Sequence, residues 1–133
     1  MQIKSIDGNL LKTTDSKTLV RSNLSWSALC NANFKNANLN GANLKGSNLF
    51  GADLSGASLK GACLSSAILN FANLECADLM NATLYNADLR SSNLIGINFE
   101  NVKVDSFTRI DSTTLLDQNQ LTYLLLKGVK YAN

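Results

Sequence analysis

Histidine and proline are both absent from this 133-residue chain, and charged residues make up only 17% of it. Without histidine there is no imidazole base, no Ser-His-Asp triad and no imidazole ligand for zinc. No apolar run approaches the ~18 to 20 residues that cross a bilayer, so no membrane span is expected. The N-terminal stretch MQIKSIDGNLLK lacks the apolar core and cleavage site of a secretory leader, so the expected compartment is the cytoplasm. The sequence offers no nucleophile beside a base, no clustered metal ligands and no glycine-rich phosphate loop; catalytic, cofactor and metal sites are all expected to be lacking, and the chain is not read as an enzyme. What is present is ordinary for a folded protein. Hydrophobic residues account for 45% and the net charge is +2, which excludes a disordered chain. The length suits one domain.

The dominant feature is a repeat of five. From Ser22 the chain reads SNLSW, SALCN, ANFKN, ANLNG, ANLKG and onward without insertion for 17 units, ending at VKVDS. A large apolar residue occupies every centre, from Leu24 to Val104. Two positions earlier stands a small residue, mostly alanine, enlarging to Ile97 and Val102 only at the end. Neither regular period fits. A helix would smear the leucines around its circumference, and a strand would send successive ones to opposite faces. The backbone must therefore turn once per five residues, pointing the centre and the small residue inward and leaving the other three toward water. Glycine fills the last position in five successive units, Gly41 to Gly61, and supplies the positive φ of a tight turn. Beyond Gly61 the position passes to Ser66, Phe71 and Cys76, which leaves a change of turn type open.

These units resemble the pentapeptide-repeat family, whose consensus is A(D/N)LXX. The resemblance spans residues 22–104. It implies an all-β solenoid, a right-handed quadrilateral β-helix of four pentapeptides per coil and about four coils, in a non-enzymatic, bacterial protein of unknown function. With coils about 4.8 Å apart, such a shaft is roughly 20 Å long. Residues 1–21 are then expected to form an N-terminal cap and residues 105–133 a C-terminal cap, all within a single domain, because a solenoid's open ends must be covered. Gln2 to Ile6, the turn at Asp7-Gly8-Asn9 and Leu10-Leu11 read as a hairpin. Trp26 is expected to pack on that cap. A helix is expected near 118–127, with Asp117 as N-cap, Gln120 completing a capping box and Gly128 just past the end.

On four sides, Cys30, Cys63 and Cys76 fall on three different faces, beyond disulfide reach, and read as surface thiols in a reducing compartment. Asn or Asp precedes eleven of the centres, between Asn23 and Asn98. Most are amides, so they suit turn hydrogen bonds better than a calcium ladder. Phe50, Ile68 and Phe71 fall on one side of adjacent coils and form the candidate protein-contact patch. Tyr123 and Leu126 lie off the main apolar face of the expected helix and are candidates for an oligomer contact, leaving the chain a monomer or a C-terminal dimer. The functional expectation is a rigid protein–protein interaction or scaffold module whose partner is an unknown protein. The alternative is a DNA mimic that binds DNA gyrase, as the fluoroquinolone-resistance members of the family do. That role needs a dense negative surface, whereas the repeats hold five carboxylates and five basic side chains. Direct nucleic-acid binding lacks its basic, aromatic face.

Overall fold

In the computed structural model, which describes residues 1–14 and 17–132, the chain winds into stacked coils of 20 residues. Residues 15–16 of the expected N-terminal cap and residue 133 of the C-terminal cap lie outside the described residues. Parallel bridges join residues 20 apart along four sides: Asn23 to Asn43, Ala28 to Asn48, Asn33 to Asp53 and Asn38 to Ser58 start the four columns. Each side contributes one bridge per coil rather than a long strand, because the chain turns before a second pair forms.

Every corner is built alike. The N–H of the small residue donates to the carbonyl of the preceding centre, as in Ala42 to Leu39 at 3.0 Å and Ala87 to Leu84 at 3.0 Å. The second of the two residues between them, at every fifth position from Arg21 to Asn101, holds φ between 54° and 72°. Ser66, Phe71 and Cys76 adopt the same φ as Gly61, so the turn does not change where glycine stops. At Gly46 glycine has a local reason beyond the φ that other residues also adopt. Its φ is +65°, and a Cβ there would run into the Trp26 ring. Trp26, expected against the N-terminal cap, lies across Gly46 of the next coil and stays 70% exposed.

The interior is a column of leucines and alanines. Leu24, Leu44, Leu64 and Leu84 form one ladder, and all four are at most 1% exposed. Alanines such as Ala57 and Ala72 are equally buried, filling the space between converging sides. Where serine replaces alanine, its hydroxyl needs a partner in a dry core. Ser22, Ser47 and Ser92 donate to the carbonyls of Leu19, Leu44 and Leu89 at 2.6 to 2.8 Å. Ser27 does not: its buried hydroxyl has no hydrogen-bond partner among the described residues. Ser27→Ala is therefore expected to raise the unfolding free energy by about 1 kcal/mol, measured by urea denaturation.

The coil extends past 22–104 in both directions. Leu19 is buried beneath Leu39, and Arg21 N–H donates to Asn40 O. Beyond Val104 come two six-residue units, Asp105-Ser-Phe-Thr-Arg-Ile110 and Asp111-Ser-Thr-Thr-Leu-Leu116. Their bridges, Asp88 to Arg109 and Asn93 to Leu115, span 21 and 22 residues, so each unit inserts one residue. Ile110 and Leu116 continue the Leu89 and Leu94 ladders, and the buried Thr108 and Thr114 take the small-residue place. In a regular coil the corner N–H donates to a carbonyl 19 residues on, as Cys76 does to Ile95. At the wider turns Asn86 and Ser91 donate instead to the carboxylates of Asp105 and Asp111, at 3.0 and 3.1 Å. A side chain replaces the carbonyl that the extra residue displaces.

Both ends are covered. β1 (Gln2–Lys4) and β2 (Leu10–Thr13) pair antiparallel, and Lys4 O accepts the N–H of Asn33 on the first coil. β3 (Arg109–Asp111) belongs to the last coil; α1 (Gln118–Leu126) crosses above it, and β4 (Lys130–Ala132) returns to lie parallel on β3. Asp117 and Gln120 close a reciprocal capping box at the start of α1. At its end, Val129 N–H reaches Leu124 O and Gly128 N–H reaches Leu125 O, with Gly128 at φ +85°: a Schellman motif sealed by the buried Leu124 and Val129.

Candidate functional site

The asparagine and aspartate column is structural. All eleven side chains accept the backbone N–H two residues on, at 3.0 to 3.3 Å, from Asn23 and Ser25 to Asn98 and Glu100. Each bond ties the approach to a corner, which is why an amide serves as well as a carboxylate. Among the described residues no group of three or more Cys, Asp or Glu side chains is placed to hold a metal ion, and the three cysteines are free thiols.

The structure packs Phe50 and Phe71 together and places Ile68 on the same side of the coil. Phe50 follows the centre Leu49, Ile68 precedes the centre Leu69 one coil above, and Phe71 stands at that coil's corner. The two rings pack at 5.2 Å between centroids, tilted by 52°. Phe50 is 44% exposed, Ile68 41% and Phe71 62%. Phe71 does this at φ 60°, a conformation that costs an ordinary L-residue about 1 to 2 kcal/mol and that bulky side chains rarely take.

Directly above Ile68 the same side carries Asp88, bridged to it in the ladder. Asp88 is nearly buried and holds two guanidinium groups. Arg90 grips it with both prongs of its fork, at 2.8 and 2.6 Å, and Arg109 reaches it at 3.2 Å from the last coil. Burial alone would raise the Asp88 carboxyl, but the Arg90 hydrogen bonds and the two positive charges outweigh it and set its pKa below the usual aspartate value. The aromatic patch thus ends at a fixed ionic rim of one carboxylate and two guanidinium groups.

Tyr123 and Leu126 are not brought together. Tyr123 turns inward, stacking on Phe99 at 6.2 Å and 29°, and its hydroxyl donates to Val102 O at 3.4 Å. Leu126 points away, 83% exposed. Two features went unread in the sequence. The Asp-Ser-Xaa-Thr pair at 105 and 111 was its own signal, hidden because it breaks the period of five. The cleft between α1 and the corner at Ile97 to Asn101 has no signal along the chain, since only the path of α1 creates it.

Comparison with known proteins agrees with this architecture. The profile of pentapeptide repeats matches in eight copies, over residues 19–56, 32–70, 47–84 and 62–101. The crystal structure of a pentapeptide repeat protein from the Arabidopsis thaliana thylakoid lumen is 32% identical, with a TM-score of 0.75 over 84% of this chain and 78% of that one. A pentapeptide repeat protein from Nostoc is 31% identical, with a TM-score of 0.42 over 84% and 86% of the two chains. A plasmid-mediated fluoroquinolone resistance protein aligns at 19% identity, with a TM-score of 0.31 over 84% of this chain and 65% of that one, too distant to lend its role. No curated protein sequence matches the chain.

Proposed function

The chain belongs to the pentapeptide-repeat family, and from that membership we propose that it is a non-enzymatic interaction module: a right-handed quadrilateral β-helix holding an aromatic patch rigidly toward a protein partner. Phe71 carries this reading. Its ring packs on Phe50 at 5.2 Å yet stays 62% exposed, at a corner whose positive φ every fifth residue of the coil shares. Aromatic side chains of this kind anchor protein contacts, where burying them against a partner recovers the exposed area. The coil supports the role because backbone bonds hold the chain on either side of the patch, as Leu49 N–H to Ile68 O and Leu69 N–H to Asp88 O, so little backbone order is lost on docking. Three unpaired thiols favour a reducing compartment such as the cytoplasm. A gyrase-directed DNA mimic is the weaker reading, because five basic residues balance five carboxylates along the repeats.

The test replaces Phe50, Ile68 and Phe71 together with serine and compares affinity capture from the native host. All three side chains are exposed, so the variant keeps its melting temperature within a few degrees while losing a partner that the parent retains. Identical captures from the two baits would refute the patch.

A further inference from the structure

An open cleft of about 580 Å³ lies between the start of α1 and the last regular corner, away from the aromatic patch. That volume is in the range of sites that enclose a small ligand or a few residues of peptide. One wall is the stacked pair Phe99 and Tyr123. The Lys127 ammonium, also lining the cleft, stands 5.6 Å from the Tyr123 ring centre. The ring face therefore already receives a cation, supplied by the protein itself. Glu100 and Asp117 line the same cleft, so its carboxylates outnumber its one ammonium. Gln120 adds a neutral donor. It is 9% exposed, and its Oε1 is committed to Asp117 N–H at 2.9 Å. Its amide NH2 has no hydrogen-bond partner among the described residues, and Gln120 is one of the residues that line the cleft.

We propose that this cleft binds an arginine side chain presented on a peptide segment of a protein partner. The guanidinium displaces Lys127 from the aromatic wall and pairs with the carboxylates of Glu100 and Asp117, while a peptide carbonyl accepts the Gln120 amide. Arginine fits better than lysine because its flat fork both stacks on a ring and pairs side-on with a carboxylate. Lys127 acts as a resident competitor, which keeps the ring face covered when no partner is present. The site is independent of the Phe50 patch, and either can fail without the other.

The probe is the blocked peptide Ac-Gly-Arg-Gly-NH2, titrated into 15N-labelled protein and compared with its uncharged citrulline counterpart. The arginine peptide is expected to shift the Gln120 side-chain amide and the Tyr123 and Lys127 N–H signals saturably. Lys127→Ala should tighten binding about threefold and Glu100→Gln should weaken it about threefold, the range of a single exposed cation–π or charge contact. Both residues are exposed, so neither change threatens the fold. A shift that never saturates, equal binding of the citrulline peptide, or weaker binding by Lys127→Ala would each overturn the proposal.

Discussion

Leu64→Ala is expected to lower the unfolding free energy by about 3 kcal/mol, read from the midpoint of a urea titration. Leu64 is 0% exposed and sits in the middle rung of its ladder, between Leu44 and Leu84. Coils above and below are pinned to its own by backbone bonds, Leu44 N–H to Cys63 O at 2.7 Å and Leu64 N–H to Thr83 O at 2.8 Å. The walls therefore cannot close on the missing atoms, and the loss includes a cavity as well as the lost burial. Leu19→Ala is the matched control. Leu19 is already 6% exposed and has a coil on only one side, so its surroundings can settle and the cost is smaller. The comparison also reads cooperativity. A stack whose coils depend only on their neighbours can divide at a weakened rung, so the central variant should show either a broadened transition or two transitions. If Leu19→Ala costs as much as Leu64→Ala, the difference in rigidity between centre and end is not there.

The repeat was legible because one residue type answers one spatial demand. Leucine every fifth residue, with alanine two before it, states that the chain turns at that interval and that its interior is narrow. The helix start was legible for the same reason: Asp117 and Gln120 satisfy each other's backbone through their side chains, and that chemistry is local. The ends of the coil were not, because there the rule changes. Leu19 lies before the recognisable register, and the six-residue turns keep the ladder while abandoning the period. Asp105 and Asp111 make that substitution possible, and their role depends on N–H groups contributed by Asn86 and Ser91, about twenty residues away. β4 was equally hidden, since a three-residue edge strand after a helix carries no pattern of its own. At the candidate site, placing Phe50, Ile68 and Phe71 on one side followed from counting in twenties, whereas the ring contact between Phe50 and Phe71 required coordinates. Tyr123 shows the limit of counting. Its offset from the apolar face of α1 suggested a free surface, but the ring stacks on Phe99 of the last coil.

Asp105→Ala combined with Asp111→Ala should cost about 4 kcal/mol at neutral pH, about 2 for each charged acceptor removed. The Asp105 carboxylate accepts N–H groups from Asn86, Phe107 and Thr108; that of Asp111 accepts those of Ser91 and Thr113. Burial on its own would raise both pKa values, but these bonds favour the charged form more strongly, so both lie below the ordinary aspartate value. Asp88, fastened to Arg90 and Arg109, is lowered as well. The sign of the pH dependence follows. A carboxyl that is more acidic in the folded chain than in the unfolded one stabilises the fold fully above its unfolded pKa, near 4, and loses that contribution as pH falls through the folded value. All three such groups lie at the C-terminal end of the shaft, where they fasten the last coil to the coil beneath it. Acid should therefore loosen the end that carries α1 before it reaches the middle of the stack. Hydrogen exchange at pH 3 is expected to show Asn86 and Ser91 N–H losing protection ahead of Gly56 and Gly61, whose partners are backbone carbonyls. The double variant should differ from the parent by less at pH 3 than at pH 7, because protonation has already removed from the parent what the substitutions remove. An equal difference at both values would show that these carboxylates do not hold the end of the coil through their charge.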